Sequence, residues 1–318
     1  MSQKIAIIGA GIAGATAARI LADAGHEIVV FEKSGGTGGR LSTRRTEFGT
    51  FDHGAQYITA KGAPFRAMMT GLSKVGAVAY WEPDGKNKTT THEWHVGTPG
   101  MSTLVKPLLD AIDVRLRTRI TEISRVGDEV NCVDEDGKAE RFERVIVAVP
   151  SPQAHELLAP VDDVFALLNT IIYMPCWTAM FAFESRVGSL PDIHRGEDSD
   201  AVAWLARNNT KPERAGVEML CVQAGGLWSN AHLVWDQTDA LAAIKAALES
   251  MAGTTLNPIY AQAHRWRYAR VDKPLGTAFL ASRDARLFAI GDGMLGGRVE
   301  ASFESARQLC DHLKATFK

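Results

Sequence analysis

Cysteine is scarce in this sequence, and the cysteines present form no recognisable framework. Only four occur among 318 residues, at Cys132, Cys176, Cys221 and Cys310, and none belongs to a C-x-x-C pair. This spacing favours reduced thiols over a disulfide framework or a zinc site. We therefore expect no metal ion and a cytoplasmic location.

The sequence also lacks long apolar runs and an excess of charge of either sign. No stretch approaches the roughly 20 uninterrupted apolar residues that cross a bilayer. The 35 basic and 37 acidic residues give a net charge of −2, which points to neither nucleic acid nor a membrane as a partner. The apolar N-terminal segment is followed by Arg19, Asp23 and Glu32, which is not typical of a signal peptide. A chain of this length predicts two domains.

Near its N-terminus the sequence contains a glycine fingerprint. Residues 5–14 read IAIIGAGIAG, so that a short apolar run is followed by Gly9, Gly11 and Gly14. The run is typical of a strand buried in a parallel sheet. In a dinucleotide-binding turn the first glycine permits the tight bend, the second lets a pyrophosphate approach, and the third lets the helix pack on the strand. An ordinary glycine-rich strand–turn–helix unit is the alternative.

The segment that follows supplies the other parts of a dinucleotide site. An alanine-rich helix is predicted over roughly 13–24, ending before Gly25, and its N-terminal N–H groups would face phosphate. Residues 28–31 form the second predicted strand, and Glu32 closes it. A carboxylate at this point accepts hydrogen bonds from ribose hydroxyls and disfavours the 2′-phosphate of NADP.

A second glycine cluster, Gly35-Gly36-Thr37-Gly38-Gly39-Arg40, comes directly after the acid. A simple nicotinamide-dependent dehydrogenase does not need it, whereas FAD continues past the pyrophosphate towards its ring. Glycines there let the backbone approach the cofactor, and Arg40 can neutralise phosphate charge. We therefore predict FAD rather than NAD.

Later apolar patterns predict further strands around this unit. From Val114 to Pro150 the period becomes two, with Gly-Asp and Asp-Gly turns, which predicts antiparallel strands. Residues 145–150 (VIVAVP) and 287–290 (LFAI) are typical of buried parallel strands. A free-standing β-meander is the alternative for the first of these regions.

The middle of the chain predicts a hairpin and helices rather than further parallel strands. A hairpin is predicted around Asp84-Gly85, a helix is predicted to open at 98–103 with Ser102 or Thr103 near its start, and another helix is predicted at 238–251, ending at Gly253. Five tryptophans are expected to be mostly core residues, with a minority contacting substrate: Trp177, Trp204, Trp228, Trp235 and Trp266.

Taken together, the glycine fingerprint, the glutamate and the Gly-Gly-Arg cluster resemble the flavin-containing amine oxidase superfamily. Residues 52–57 (DHGAQY) resemble the renalases within it. The resemblance implies an α/β protein with a Rossmann-like FAD-binding domain, containing a parallel sheet and an inserted β-meander, plus a mixed-sheet α+β substrate domain. It implies residues 1–55, 97–155 and 275–318 for the first domain and 56–96 and 156–274 for the second.

The resemblance also assigns residues to the cofactor, which we expect to be bound non-covalently. Gln56 and Tyr57 would lie at the flavin ring and the cavity, although a plain turn with a core tyrosine is the alternative. His53 is more typical of a scaffold or surface histidine than of a base. Ile120 would lie near the adenine, and the last helix would face the flavin, with Ser305-Ala306 in place of the usual Ser-Gly. The full predicted set is Gly9, Gly11, Ile12, Ala13, Gly14, Glu32, Lys33, Gly39, Arg40, Gln56, Tyr57, Ile120, Gly291, Asp292, Arg298, Val299 and Ser302.

One departure from the superfamily bears on the substrate. Its amine oxidases often carry a lysine on the strand that matches residues 175–183, which here read PCWTAMFAF. The resemblance to renalases implies an oxidase of the 2- and 6-dihydro isomers of NAD(P)H, which returns NAD(P)+ and passes electrons to O2, forming H2O2. A dihydropyridine loses hydride to become an aromatic cation and needs no general base, so no catalytic side chain is assigned. A flavin amine oxidase and a redox-inactive FAD-binding module are the alternatives.

Overall fold

The computed structural model describes residues 2–84 and 93–316. Its helices, numbered in chain order, are α1 (Ile12–Asp23), α2 (Ala63–Lys74), α3 (Ser151–Leu158), α4 (Gly226–Ala231), α5 (Gln237–Ala252), α6 (Asp292–Leu295) and α7 (Val299–Thr316). Among the residues described, no helix has the length and apolar character needed to span a bilayer.

The strands are numbered in the same way. They are β1 (Lys4–Ile8), β2 (Glu27–Glu32), β3 (Thr43–Thr46), β4 (Gly49–Asp52), β5 (Val78–Tyr80), β6 (His95–Gly97), β7 (Asp113–Leu116), β8 (Ile120–Val126), β9 (Glu129–Asp134), β10 (Ala139–Phe142), β11 (Arg144–Val147), β12 (Ile172–Phe183), β13 (Ile193–Arg195), β14 (Trp204–Arg207), β15 (Glu218–Gln223), β16 (Tyr260–Lys273), β17 (Leu280–Ala281) and β18 (Leu287–Ala289).

The chain divides into two units. The first contains Met1–Gly39, Val105–Ile172 and Val271–Lys318, and the second contains Arg40–Leu104 and Tyr173–Arg270. The predicted domain boundaries differ from these units at four segments: 40–55 and 97–104 lie in the second unit, and 156–172 and 271–274 lie in the first. The roles given to the two domains stay predictions.

A six-stranded sheet forms the centre of the first unit. Its order is β17-β18-β11-β1-β2-β7, and all neighbours are parallel except the edge strand β17. The interior strand β1 is apolar after Lys4 and buried, since both of its faces are covered. Helix α1 ends where predicted, with Gly25 in the left-handed region at φ +88°. The predicted Rossmann-like parallel sheet is confirmed.

The inserted meander is present but smaller than the period-two segment. Strands β8, β9 and β10 form a three-stranded antiparallel sheet with turns at Gly127 and Gly137. Strand β7, at the start of the same segment, instead pairs in parallel with β2, with Val30 opposite Val114. The alternation of side chains is the same in both cases, so the pattern alone did not separate them.

The prediction of a helix that begins at 98–103 is wrong. The chain forms short 3-10 turns there, at Met101–Val105 and Pro107–Leu109. Pro107 has no N–H to donate back to Thr103, so an α-helix that began at Ser102 would lack one of its first hydrogen bonds. The arms of the predicted hairpin, β5 and β6, pair antiparallel. Its turn at Asp84-Gly85 reaches Gly85, which lies outside the described residues.

A five-stranded sheet with the order β13-β14-β15-β12-β16 forms the second unit's centre. The pairs β12–β15, β13–β14 and β14–β15 are antiparallel. Helix α5 begins at an Asp236 side chain that caps two N–H groups, and it ends at Gly253 with φ +69°, as predicted. Its residues Ile244 and Leu248 are buried in one cluster with Trp177. The core interpretation of Trp177 is therefore confirmed.

Two glycines of the second unit give opposite predictions for stability. A Cβ at Gly54 would lie 2.0 Å from the main-chain oxygen of Arg40, whereas Gly71, inside α2, has open space around it. We expect Gly54→Ala to lower the free energy of unfolding by about 1–3 kcal/mol through overpacking. We expect Gly71→Ala to raise it by about 0.5–1 kcal/mol through helix propensity. Denaturant unfolding of the two variants beside the parent measures both. Equal changes in the same direction would contradict the different surroundings of Gly54 and Gly71.

Candidate cofactor and substrate sites

The turn between β1 and α1 requires glycine for steric reasons. Gly9 has φ +107°, and its N–H donates to the carbonyl of Phe31 at 2.8 Å. A Cβ on Gly14 would lie 1.9 Å from the main-chain oxygen of Gly9. The helix therefore starts in direct contact with the end of the strand, as the fingerprint predicts.

The N-terminus of α1 offers main-chain donors to an anion. Its N-cap is Gly11, no side chain caps it among the described residues, and its first turn carries no acidic side chain. A Cβ at Gly11 would meet only the oxygen of Gly38, at 4.0 Å. The orphan N–H groups of Ile12 and Ala13 and the positive end of the helix dipole suit a phosphate there.

The second glycine cluster lies against the same turn. The Gly38 N–H donates to the carbonyl of Ala10 at 2.9 Å. Gly39 has φ +55°, and a Cβ there would lie 3.5 Å from the Cα of Gly11. Residues that follow the acid in sequence thus return to the phosphate end of the turn, which is the path expected for a longer cofactor.

Glu32 is buried, and both of its carboxylate oxygens are positioned by main-chain donors. One oxygen accepts from the N–H of Ala10 at 2.9 Å and the other from that of Ser34 at 2.8 Å. Each oxygen keeps a further lone pair, which can accept from a ribose hydroxyl. The N–H of Thr118 donates to the carbonyl of Glu32 at 3.0 Å, so the chain leading to Ile120 passes beside this carboxylate.

Two other residues predicted to bind the cofactor, Lys33 and Arg40, contact other groups of the protein. Lys33 is exposed, and its Nζ lies 3.4 Å from the side-chain oxygen of Gln153. Arg40 donates to the carbonyls of Tyr268 and Ala269, at 3.2 and 3.3 Å. Two main-chain oxygens therefore already use part of the Arg40 guanidinium.

The C-terminal motif forms another turn at the carboxyl end of the parallel sheet. The N–H of Gly291 donates to the Ser305 hydroxyl at 2.9 Å, and that hydroxyl donates to the carbonyl of Ala278 at 2.6 Å. Asp292 is buried and accepts from the N–H of Gly293 at 3.0 Å. Ser305 therefore fixes this turn, although the sequence indicated it only as part of a departure from the family pattern.

The start of α7 carries the last predicted cofactor residues. Arg298 is exposed and immediately precedes the helix, whose first residue is Val299. Ser302 is buried in the first turn, and its N–H donates to the carbonyl of Arg298 at 3.3 Å. The structure thus gives Arg298 a solvent-facing position at a helix N-terminus.

In the second unit the side chain of Gln56 is buried and fully engaged. Its amide nitrogen donates to the carbonyls of Asp52 and Gly54, and its amide oxygen accepts from Lys211 at 3.2 Å. The Gln56 amide therefore holds the protein chain together at this point, and its contact with a cofactor stays a prediction.

A fully buried ion-pair network lies beside Gln56. The Asp52 carboxylate accepts from Arg214 at 2.7 Å and Lys211 at 3.2 Å. Its other oxygen accepts from the Thr43 hydroxyl at 2.7 Å and the Met101 N–H at 3.0 Å. Burial opposes ionisation of Asp52, but the two cations hold the pKa of its carboxyl below the usual value. Burial likewise lowers the pKa of Lys211.

Tyr57 belongs to an aromatic cluster that also contains Trp94 and Trp204. Its ring stacks on Trp94 with centroids 4.1 Å apart and lies 5.6 Å from the ring of Trp204. The Tyr57 hydroxyl accepts from the Arg195 guanidinium at 2.8 Å. Tyr57 is half-buried, unlike the two tryptophans, so the cluster is open on the side of Tyr57 and Arg195.

His53 is buried within the second unit. Its ring packs against Trp266 at 5.2 Å and His264 at 5.1 Å. Burial, followed by the charges of His264 and Arg44, lowers the pKa of His53 to about 4. The side chain is therefore neutral and weakly basic at pH 7. Among the described residues, no group of three or more His, Cys, Asp or Glu side chains could hold a metal ion.

A main-chain phosphate turn followed by a buried acid at the end of the second parallel strand defines a dinucleotide-binding protein. Comparison with protein families narrows that class. An NAD(P)-binding Rossmann-like domain matches residues 7–72, and the flavin containing amine oxidoreductase family matches residues 77–313. The chain therefore belongs to the flavin-containing amine oxidoreductase family, and its cofactor is FAD.

Individual relatives agree with this family. Mouse renalase is 21% identical over 292 residues, which cover 85% of each chain. A putative protoporphyrinogen oxidase from Exiguobacterium has a TM-score of 0.77 at 14% identity, with 99% of both chains covered. Cyclohexylamine oxidase from Brevibacterium oxydans has a TM-score of 0.74 at 14% identity, covering 99% of this chain and 100% of its own. The two structures show the shared fold.

The buried imidazole of His53 predicts a pH dependence of stability. Because its pKa is about 4 in the folded protein and about 6.5 in the unfolded chain, the unfolded chain binds more protons between these values. The free energy of unfolding should fall as pH drops from 6.5 to 4, by up to about 3 kcal/mol from this group.

His53→Phe keeps a ring against Trp266 and removes the titrating nitrogen. Denaturant unfolding of parent and variant across this pH range should give a smaller loss of stability for the variant. An identical loss in the two proteins would show that His53 does not titrate in this way.

Proposed function

We propose that the protein is an FAD-dependent oxidase of the 2- and 6-dihydro isomers of NAD(P)H. One dihydro isomer, one O2 and one proton give one NAD(P)+ and one H2O2. The similarity to mouse renalase supports this proposal because it spans 85% of both chains and is not confined to the dinucleotide turn. It agrees with the activity that the renalase-like segment 52–57 implies.

The observation that carries the proposal is the state of the titratable groups near Gln56 and Tyr57. In the segment 52–57, which is described throughout, Asp52 is ion-paired and His53 is neutral at pH 7, with a pKa of about 4. The strand β12 contains no lysine, and its segment 175–183 is almost entirely buried. A general base works best with a pKa near the operating pH. Lys211, which donates to Gln56, is also fully buried and held in the ion pair with Asp52. These groups suit a reaction that needs no base.

The oxidation of a dihydronicotinamide is such a reaction, because hydride loss generates an aromatic ring without removal of a proton. Bound FAD supplies the hydride acceptor and the route of the electrons to O2. The task left to the protein is to bind and orient the substrate and to exclude water.

We further propose that the sequence-predicted residues hold FAD non-covalently. The N–H groups at the start of α1 would bind its pyrophosphate, and the Glu32 carboxylate would accept from the ribose. The chain beside Ile120 would contact the adenine, since it is tied to Glu32 by the Thr118 N–H. Gly291 and Asp292, at the same edge of the sheet, and the N-terminus of α7 would bind further along the cofactor.

Replacement of Glu32 tests this assignment. In Glu32→Gln the side-chain NH2 group faces one of the two main-chain N–H groups that donate to the carboxylate in the parent protein. The ribose also loses a charged acceptor. We expect the dissociation constant of FAD to rise roughly 10- to 150-fold, from about 1.5–3 kcal/mol for the lost hydrogen bond between the ribose and a charged acceptor. Titration of the apoprotein with FAD measures it.

The matched control is Glu27→Gln, since Glu27 is exposed at the opposite end of the same strand. It should bind FAD as the parent does. Equal FAD affinity in the two variants would show that the Glu32 carboxylate does not bind FAD.

The reaction itself is tested by anaerobic stopped-flow mixing. Borohydride reduction of NAD+ gives a mixture of dihydro isomers, and this mixture should bleach the flavin absorbance within a single turnover. Admission of O2 should restore the absorbance and yield one H2O2 for each NAD+ formed. NADH itself is the control and should bleach the flavin far more slowly.

A flavin amine oxidase is the second candidate, favoured by the fold likeness to cyclohexylamine oxidase. Bleaching by cyclohexylamine or putrescine, without a response to the dihydro isomers, would replace the proposed reaction with amine oxidation. If neither kind of reductant bleaches the flavin, the protein is a redox-inactive FAD-binding module.

A further inference from the structure

Arg195 is an exposed arginine in a fixed position over an aromatic surface. It lies on β13, one of the two edge strands of the five-stranded sheet, directly opposite Trp204 in the antiparallel register. The guanidinium carbon is 4.7 Å from the ring centre of Trp204, 5.3 Å from that of Trp94 and 5.7 Å from that of Tyr57. Contacts with three rings restrict a side chain that is mobile on most protein surfaces.

The hydrogen bonds of Arg195 leave most of its donors available. A guanidinium has five N–H groups, and one of them donates to the Tyr57 hydroxyl at 2.8 Å. Among the residues described, no carboxylate lies within ion-pair distance of Arg195 and no other acceptor is bonded to it. The buried Arg214 of the same unit, by contrast, is paired with Asp52. Within residues 2–84 and 93–316, the positive charge of Arg195 is therefore not neutralised by an ion pair.

We propose that Arg195 binds the diphosphate of the dinucleotide substrate, an inference that rests on the proposed function. A planar guanidinium pairs with two phosphate oxygens at once. Because the rings and the Tyr57 hydroxyl already orient the group, little conformational freedom is lost on binding. Arg195 thereby selects dinucleotides over smaller dihydronicotinamides that carry no phosphate.

The test compares two substrates in variants of this residue. The first is the borohydride-derived mixture of NADH isomers, and the second is the corresponding mixture from N-methylnicotinamide, which has no phosphate. In Arg195→Ala the concentration of NADH isomers that gives half-maximal flavin bleaching should rise roughly tenfold or more, with the limiting rate unchanged. The inhibition constant of NAD+ should rise by the same factor. The second-order rate constant for the phosphate-free isomers should stay within about twofold of the parent value.

Two other variants complete the design. Arg195→Lys keeps the charge without the planar fork and should give an intermediate affinity for the NADH isomers. Arg267→Ala removes an exposed arginine elsewhere in the second unit and should leave both substrates unaffected. The flavin absorption spectrum and the thermal midpoint of each variant establish that it is folded and loaded.

Each result supports or overturns the inference. A selective loss for the NADH isomers supports it. Equal losses for both substrates mean that Arg195 acts only through the fold, and no loss for either means that it binds no phosphate. If the parent protein is not bleached by NADH isomers at all, the proposed function fails in that measurement, before any variant is made, and the inference fails with it.

Discussion

The carboxylate of Asp52 is the group around which the second unit is organised. It is completely buried and accepts hydrogen bonds from four residues in three separate parts of the chain: Thr43, Met101, and the pair Lys211 and Arg214. Taking a carboxylate and two cations out of water is unfavourable unless each is paired and hydrogen-bonded. A rearrangement that separated Asp52 from Lys211 and Arg214 would leave a charge buried without its partner, which favours the observed arrangement of these segments.

The same network is in contact with the aromatic cluster. Lys211 donates to Gln56, the neighbour of Tyr57, and its ammonium lies 5.1 Å from the ring centre of Trp81. Trp81 is buried and packs against Trp94 at 5.5 Å, and Trp94 stacks on Tyr57. Buried charge at one end of the segment 52–57 therefore positions an open aromatic surface at its other end, where Arg195 lies.

The sequence predicted the first unit better than the second, and the reason is the range of the interactions. Gly14 and Gly9 are five residues apart, and their contact depends on the local backbone, so a short motif is enough to predict it. The Asp52 ion pairs join residues 159 and 162 positions apart, and the Tyr57–Arg195 hydrogen bond spans 138 positions. No periodicity carries that information. The partner of strand β7 was missed for the same reason: the alternation of its side chains does not show that it pairs with β2.

The two proposed diphosphate sites differ in a way that suits their tasks. The cofactor turn offers main-chain N–H groups and a helix dipole, in a tight backbone conformation that its glycines permit. Such donors need no reorganisation to hold a phosphate. Arg195 is an exposed side chain, whose attraction for phosphate is screened by salt. A cofactor that stays bound through many turnovers needs the first kind of site. A product dinucleotide that must leave after each turnover needs the second, because weaker and screened binding keeps its dissociation fast.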